Sequence, residues 1–236
     1  MALPKIQHPT FELTIPSTKK KSKFRAMLVK EEKILLMAKQ AEDRADQLNS
    51  VVQVINNCAM DGDFKVEELA MFDLEYIFLK IRANSVSNIA KLAFRDNDDE
   101  KTYNFEIDLN KIEVQFDKDV NTSIEISNGI ILQMKYPNVS MYLDKNLYSM
   151  DDDKVFDYML RACMDKIIEG DSIHICKDAN KDELEEFIDS IPSKAFDDIQ
   201  DFLSNMPSMY HSEKYKNANG DERTIEFRTL EDFFML

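Results

Sequence analysis

At 236 residues and 44% hydrophobic side chains, the chain is long enough to bury one substantial core or two modest ones, and too apolar to be disordered. Its formal charge of −15 repels phosphate backbones and argues against nucleic acid as a partner. With only 4 Gly and 6 Pro, little material remains for flexible linkers or for a glycine-rich nucleotide cradle.

The first residues, Met1-Ala2-Leu3-Pro4-Lys5, contain no apolar signal core. No stretch approaches the roughly 18–20 apolar residues of a membrane span, so no membrane insertion is expected. Phe11, Leu13 and Ile15 alternate with polar residues, as do Phe24, Ala26 and Leu28, around a turn at Pro16-Ser17-Thr18 and Lys19-Lys20-Lys21. That pattern predicts an N-terminal β-hairpin. Lys30-Glu31-Glu32-Lys33 opens a helix running to about Ala45, with its acids in the first turn, where the helix dipole favours them. A second helix is predicted from Leu48 to Met60, stopped by Asp61-Gly62-Asp63.

The next segment, from about Phe72, is apolar on nearly every face and is predicted to be a buried helix reaching about Phe94. Its Arg82 then needs a carboxylate partner, with Asp73, Glu31 and Glu32 as candidates, or it snorkels to water. Beyond the charged loop Arg95–Glu100 the period becomes two, which predicts a four-stranded antiparallel meander between Thr102 and Tyr136. Turns are expected at Asp117-Lys118-Asp119 and Ser127-Asn128-Gly129. Asp151 caps a helix through Ile167 that Gly170 closes, and Ile173–Ile175 forms a short strand. Two more helices follow, from Asp178 and from Pro192. The strands Tyr210–Tyr215 and Thr224–Arg228 make a small hairpin before an aromatic tail from Leu230. The fold class is therefore α+β: an N-terminal β-hairpin and helices around a central apolar helix, an antiparallel β-meander, and a helical C-terminal part ending in a small hairpin. The corresponding divisions fall at 1–100, 101–145, 146–206 and 207–236.

No catalytic constellation is legible, and no catalytic residue, cofactor or metal is expected. His8, His174 and His211 are scattered, and Cys58, Cys163 and Cys176 suit buried thiols rather than a disulfide framework. Asp61-Gly62-Asp63 and Asp96-Asn97-Asp98-Asp99 resemble calcium loops only superficially, because neither has spaced oxygen ligands ending in a bidentate Glu. An enzyme with a cryptic site remains the outside alternative.

Several blocks, in collinear order over nearly the whole chain, carry a resemblance. They are Phe24-Arg25-Ala26-Met27-Leu28-Val29-Lys30-Glu31-Glu32-Lys33, then Ile55-Asn56-Asn57-Cys58, then Phe72-Asp73-Leu74-Glu75-Tyr76 through Ser85. Cys163 with Ile167–Asp171, Glu183–Ser190 and Leu230-Glu231-Asp232-Phe233-Phe234 continue the order. The chain thereby resembles the baseplate hub protein family of T-even-type bacteriophages. That resemblance implies a structural or assembly protein of the contractile-tail baseplate hub, with other hub and hub-assembly proteins as partners. It also implies assembly in the host cytoplasm with a place in the tail baseplate as one expectation, and a chaperone-like factor absent from the mature virion as the alternative. Many relatives resemble one another in a Cys-x-x-Cys-Gly knuckle before the final strand. Here Lys216-Asn217-Ala218-Asn219-Gly220 retains the glycine and neither thiol, so a zinc role is not expected. Arg25, Lys30, Glu31, Glu32, Lys33, Arg82, Phe233 and Phe234 are the candidate partner-binding residues, and the oligomeric state is left open.

Overall fold

The computed structural model describes residues 6–41, 43–117 and 120–234, with Phe234 described by its backbone alone. The expected turn at Asp117-Lys118-Asp119 lies partly outside the described residues, as do Met235, Leu236 and the Phe234 side chain. In chain order the elements are β1 (Thr10–Thr14), β2 (Lys21–Arg25), α1 (Val29–Ala38), α2 (Arg44–Cys58), α3 (Met71–Ser85), β3 (Ile89–Arg95), β4 (Thr102–Asp108) and β5 (Glu113–Gln115). There follow β6 (Ser123–Ser127), β7 (Ile130–Met134), α4 (Val139–Tyr142), α5 (Asp152–Cys163), β8 (Met164–Glu169) and β9 (Ser172–Ile175). The last are α6 (Lys181–Asp189), α7 (Ser193–Ser204), β10 (Ser208–Lys216), β11 (Glu222–Phe227) and α8 (Leu230–Phe234). The fold is α+β, with antiparallel strand pairing throughout these elements.

Two compact units emerge. One comprises Met1–Gln115 and Ser208–Leu236, and the other, Phe116–Pro207, interrupts it in sequence. In the first unit α3 is the buried element, as its all-round apolar sequence requires. Phe72, Leu74, Tyr76, Ile77, Phe78, Leu79 and Ile81 are all buried, and α3 packs on α2, β5 and β10. The β1–β2 hairpin pairs Thr10 with Arg25 and buries Phe24, whose ring meets Phe64 edge-on at 5.2 Å.

Helix α3 ends at Ser85, earlier than the sequence suggests, and Ile89–Arg95 is strand β3. The alternating Leu92 and Phe94 pair that strand with β4, where Phe94 faces Tyr103. The four runs expected as one meander are strands, but they belong to three sheets. β4 pairs with β3, β5 pairs with β10, and β6 with β7 joins β8 and β9. The physical reason is β-branched content downstream: Ile167 and Ile168, expected on a helix, lie in β8 opposite Leu132 and Ile131. A meander does form in the second unit, in the order β6-β7-β8-β9. Its inner face holds Ile124, Ile126, Leu132 and Met134 against Leu160 of α5 and Ile199 and Phe202 of α7.

Candidate docking surface

The polar residues of the motif blocks are placed first by what they do inside the first unit. Arg25, at the end of β2, donates through Nη2 to Glu31 Oε1 at 2.9 Å and through Nη1 to Glu31 Oε2 at 3.2 Å. The same guanidinium donates to the carbonyls of Ala26 (2.9 Å) and Asn57 (2.7 Å). Glu31 is 0% exposed and also accepts from the Leu28 N–H at 2.9 Å, which closes the first turn of α1. Burial pushes the Glu31 carboxyl up, but Arg25 and the Leu28 N–H outweigh it and hold the group below its ordinary range. Asn56 accepts from the Val66 N–H (3.1 Å) and donates to Glu67 (2.9 Å), fixing the loop after α2.

Within α3 the pattern repeats. Asp73 accepts from the Ser17 N–H (2.9 Å), the Ser17 hydroxyl and the Ala70 N–H (3.3 Å), which ties the hairpin turn to the helix start. Lys80 Nζ donates to the carbonyls of Leu109, Asn110 and Ile112, and the Tyr76 ring lies 4.9 Å below it. Ser85 Oγ accepts from the Met27 N–H at 2.8 Å. Burial pushes the Glu75 carboxyl up to about 7 even though the Leu230 N–H bonds it, with Asp232 and Glu231 adding to the rise. Asp73 and Glu31, considered as partners for Arg82, are thus engaged by Ser17 and Arg25.

The C-terminal hairpin is held without thiols. Tyr215 packs among Phe94, Tyr103 and Phe105, and its hydroxyl donates to buried Asp96 at 2.7 Å. Asp99 accepts from the Ala218 N–H at 2.8 Å, and Asp98 pairs with Arg223. The acidic loop that looks like a calcium site in sequence spends its carboxylates on this hairpin. Phe233 is 1% exposed and lies 5.8 Å from the Phe227 ring inside the same unit.

What faces solvent differs in kind. Lys30, Glu32 and Lys33 are exposed on α1, and Arg82 is half-buried. Beside them stand large apolar side chains left in water: Leu36 at 64%, Met37 at 73% and Val86 at 59% exposure. A groove of about 360 Å³ runs between the helices, with Leu35 and Leu36 of α1 on one wall and Phe78 and Val86 on the other. The sequence reading reached the charges of this surface and missed its apolar part. The available signal was the run Ile34-Leu35-Leu36-Met37, which covers more of a helix circumference than one buried face needs.

Among the described residues no group of three or more His, Cys, Asp or Glu is arranged to hold a metal, and no helix is long and apolar enough to cross a membrane. Cys58 and Cys163 are buried, which pushes their thiols up to about 11 and about 12, far from thiolate chemistry at neutral pH. The family model described as T4 bacteriophage base plate protein matches residues 8–235. No curated protein and no solved structure matches the chain. Because that match runs over nearly the whole sequence and through every motif block described above, the chain belongs to the T4 bacteriophage base plate protein family.

Proposed function

We propose that this protein is a hub component of the baseplate, acting in contractile tail assembly by docking other hub and hub-assembly proteins. The observation that supports the reading is the division of labour in the first unit. The charged motif residues Arg25, Glu31, Asp73 and Lys80 are consumed in internal bonds, while Leu36, Met37 and Val86 are left to water beside Lys30, Glu32 and Lys33. Exposed apolar side chains rimmed by charge mark protein-binding surfaces. Assembly takes place in the host cytoplasm and delivers the protein to the tail baseplate. Co-expression with each other baseplate protein, followed by pull-down, is the test. Stoichiometric capture of a hub protein is expected, and capture of none of them would refute the reading. Mass spectrometry of purified particles then separates a retained subunit, which is found there, from an assembly factor, which is not.

A further inference from the structure

We propose that two copies of this chain pair edge to edge through β9, joining their β6-β7-β8-β9 sheets about a two-fold axis at His174. β9 is the outer strand of that sheet and pairs only with β8 among the described strands. Edge strands offer unpaired backbone groups to other chains, and native proteins blunt them with charge, proline or a bulge. The other edge strands of the described sheets, β1 to β6 and β11, all contain charged side chains. β9 is Ser172-Ile173-His174-Ile175, with no acid, lysine, arginine or proline. It leaves Ile173 60% and Ile175 40% exposed. In a chain of charge −15, whose copies otherwise repel, this edge is unguarded.

Backbone direction and sequence together select a second copy as the occupant. The two-residue turn Gly170-Asp171, with Gly170 at φ +57°, makes Glu169 and Ser172 its closing hydrogen-bonded pair. Such pairs alternate along an antiparallel ladder, so His174 turns its backbone groups toward β8, while Ile173 and Ile175 turn theirs away. Antiparallel pairing about His174 sets Ile173 opposite Ile175 of the second copy, and each outward N–H then meets a carbonyl. A shift of one residue would set these groups against the inward-turned ones of His174. The same register continues the row Ile131, Ile168 and Ile173, which crosses β7, β8 and β9, into Ile175 of the second copy. It also brings Asp171 opposite Lys177, in the turn just after β9, and symmetry repeats that charge pair at the other end. Asp171 and Lys177 are both exposed, and neither is engaged in an ion pair among the described residues.

This pairing lies in the second unit and stands or falls independently of docking through α1. Sedimentation velocity of the full chain at about 100 µM, a concentration suited to a small interface, is expected to show a dimer. Ile173→Lys should weaken the dimer about ten-fold or more and melt like the parent, because the side chain is exposed. Asp171→Lys and Lys177→Asp should each weaken it about three-fold or more, and the double swap should restore it. The native thiols are buried, so His174→Cys supplies an accessible one. Across the axis its Cα atoms would lie about 4.5 Å apart, within disulfide reach. Mild oxidation should therefore cross-link His174→Cys between copies and leave Asp171→Cys uncross-linked. A parent protein that stays monomeric overturns the proposal, as does a dimer that Ile173→Lys leaves intact. A double swap that fails to restore the dimer, or equal cross-linking of the two cysteine variants, overturns the register. A monomer whose capture of a hub protein is lost on Ile173→Lys also overturns it, because a foreign strand would then be the occupant.

Discussion

The ammonium of Lys80 lies 2.7 Å from the carbonyl oxygen of Ile112, across the junction between α3 and the turn that leads from β4 into β5. Carbonyls of Leu109 at 3.2 Å and Asn110 at 2.8 Å take its other two protons, so all three donors are used at 5% exposure. Burial lowers the pKa of this lysine, and Glu113 at 3.5 Å works against that lowering. Lys80→Met keeps the volume and orphans buried carbonyls. It should cost on the order of 2–4 kcal/mol in urea unfolding. Lys80→Arg should also destabilise, because a planar fork does not converge on three carbonyls as an ammonium does.

The two adjacent glutamates of α1 should behave as opposites. Glu31→Ala leaves the half-buried Arg25 without its carboxylate, with only the Ala26 and Asn57 carbonyls to bond, and should cost about 3 kcal/mol. Glu32→Ala alters an exposed side chain and should stay within about 0.5 kcal/mol. Chemical denaturation of both variants measures the difference. A partner-binding experiment must therefore reverse Glu32 alone, since reversing Glu31 attacks the fold.

Glu75 gives a pH dependence of unusual sign. Its carboxyl is raised from 4.5 to about 7 in the folded protein, so the folded state holds a proton that the unfolded state has released. Its contribution is complete below about pH 4.5 and is lost as pH rises through about 7. Glu75→Gln, still able to accept from the Leu230 N–H, should flatten that part of the profile. At pH 8 it should be more stable than the parent by about 3 kcal/mol, from the size of the shift. Thermal melts of both proteins between pH 5 and pH 8 make the comparison.

The thiols should be silent. Cys58, Cys163 and Cys176 are buried and all three are raised by that burial. Iodoacetamide at pH 8 should label none of them in the folded protein and all of them in guanidinium, as counted by intact mass.

Local patterning made the hairpin, α2, α3 and the amphipathic α5, α6 and α7 legible, because each buries one periodic face or, for α3, all of them. The strand β3 was not legible: Ile89-Ala90-Lys91-Leu92-Ala93-Phe94 continues an apolar helix as plausibly as it starts a strand, and its pairing with β4 decides. Nor was the pairing of β5 with β10, whose residues Val114 and Met209 are brought together only after the whole second unit intervenes. At the candidate surface, the charges are plain in the sequence and their division between interior and solvent is not. Nothing local distinguishes Glu31, buried under Arg25, from Glu32, which stands in water. The exposed Leu36 and Val86 escaped notice because apolar residues on a helix read first as core.

Electron microscopy of lysates from cells infected with phage lacking this protein tests the baseplate role most directly. Baseplates should be missing or incomplete, with wild-type protein supplied in trans restoring them and the Leu36→Asp variant failing to. Normal, contractile tails formed in the absence of the protein would contradict a structural or assembly role.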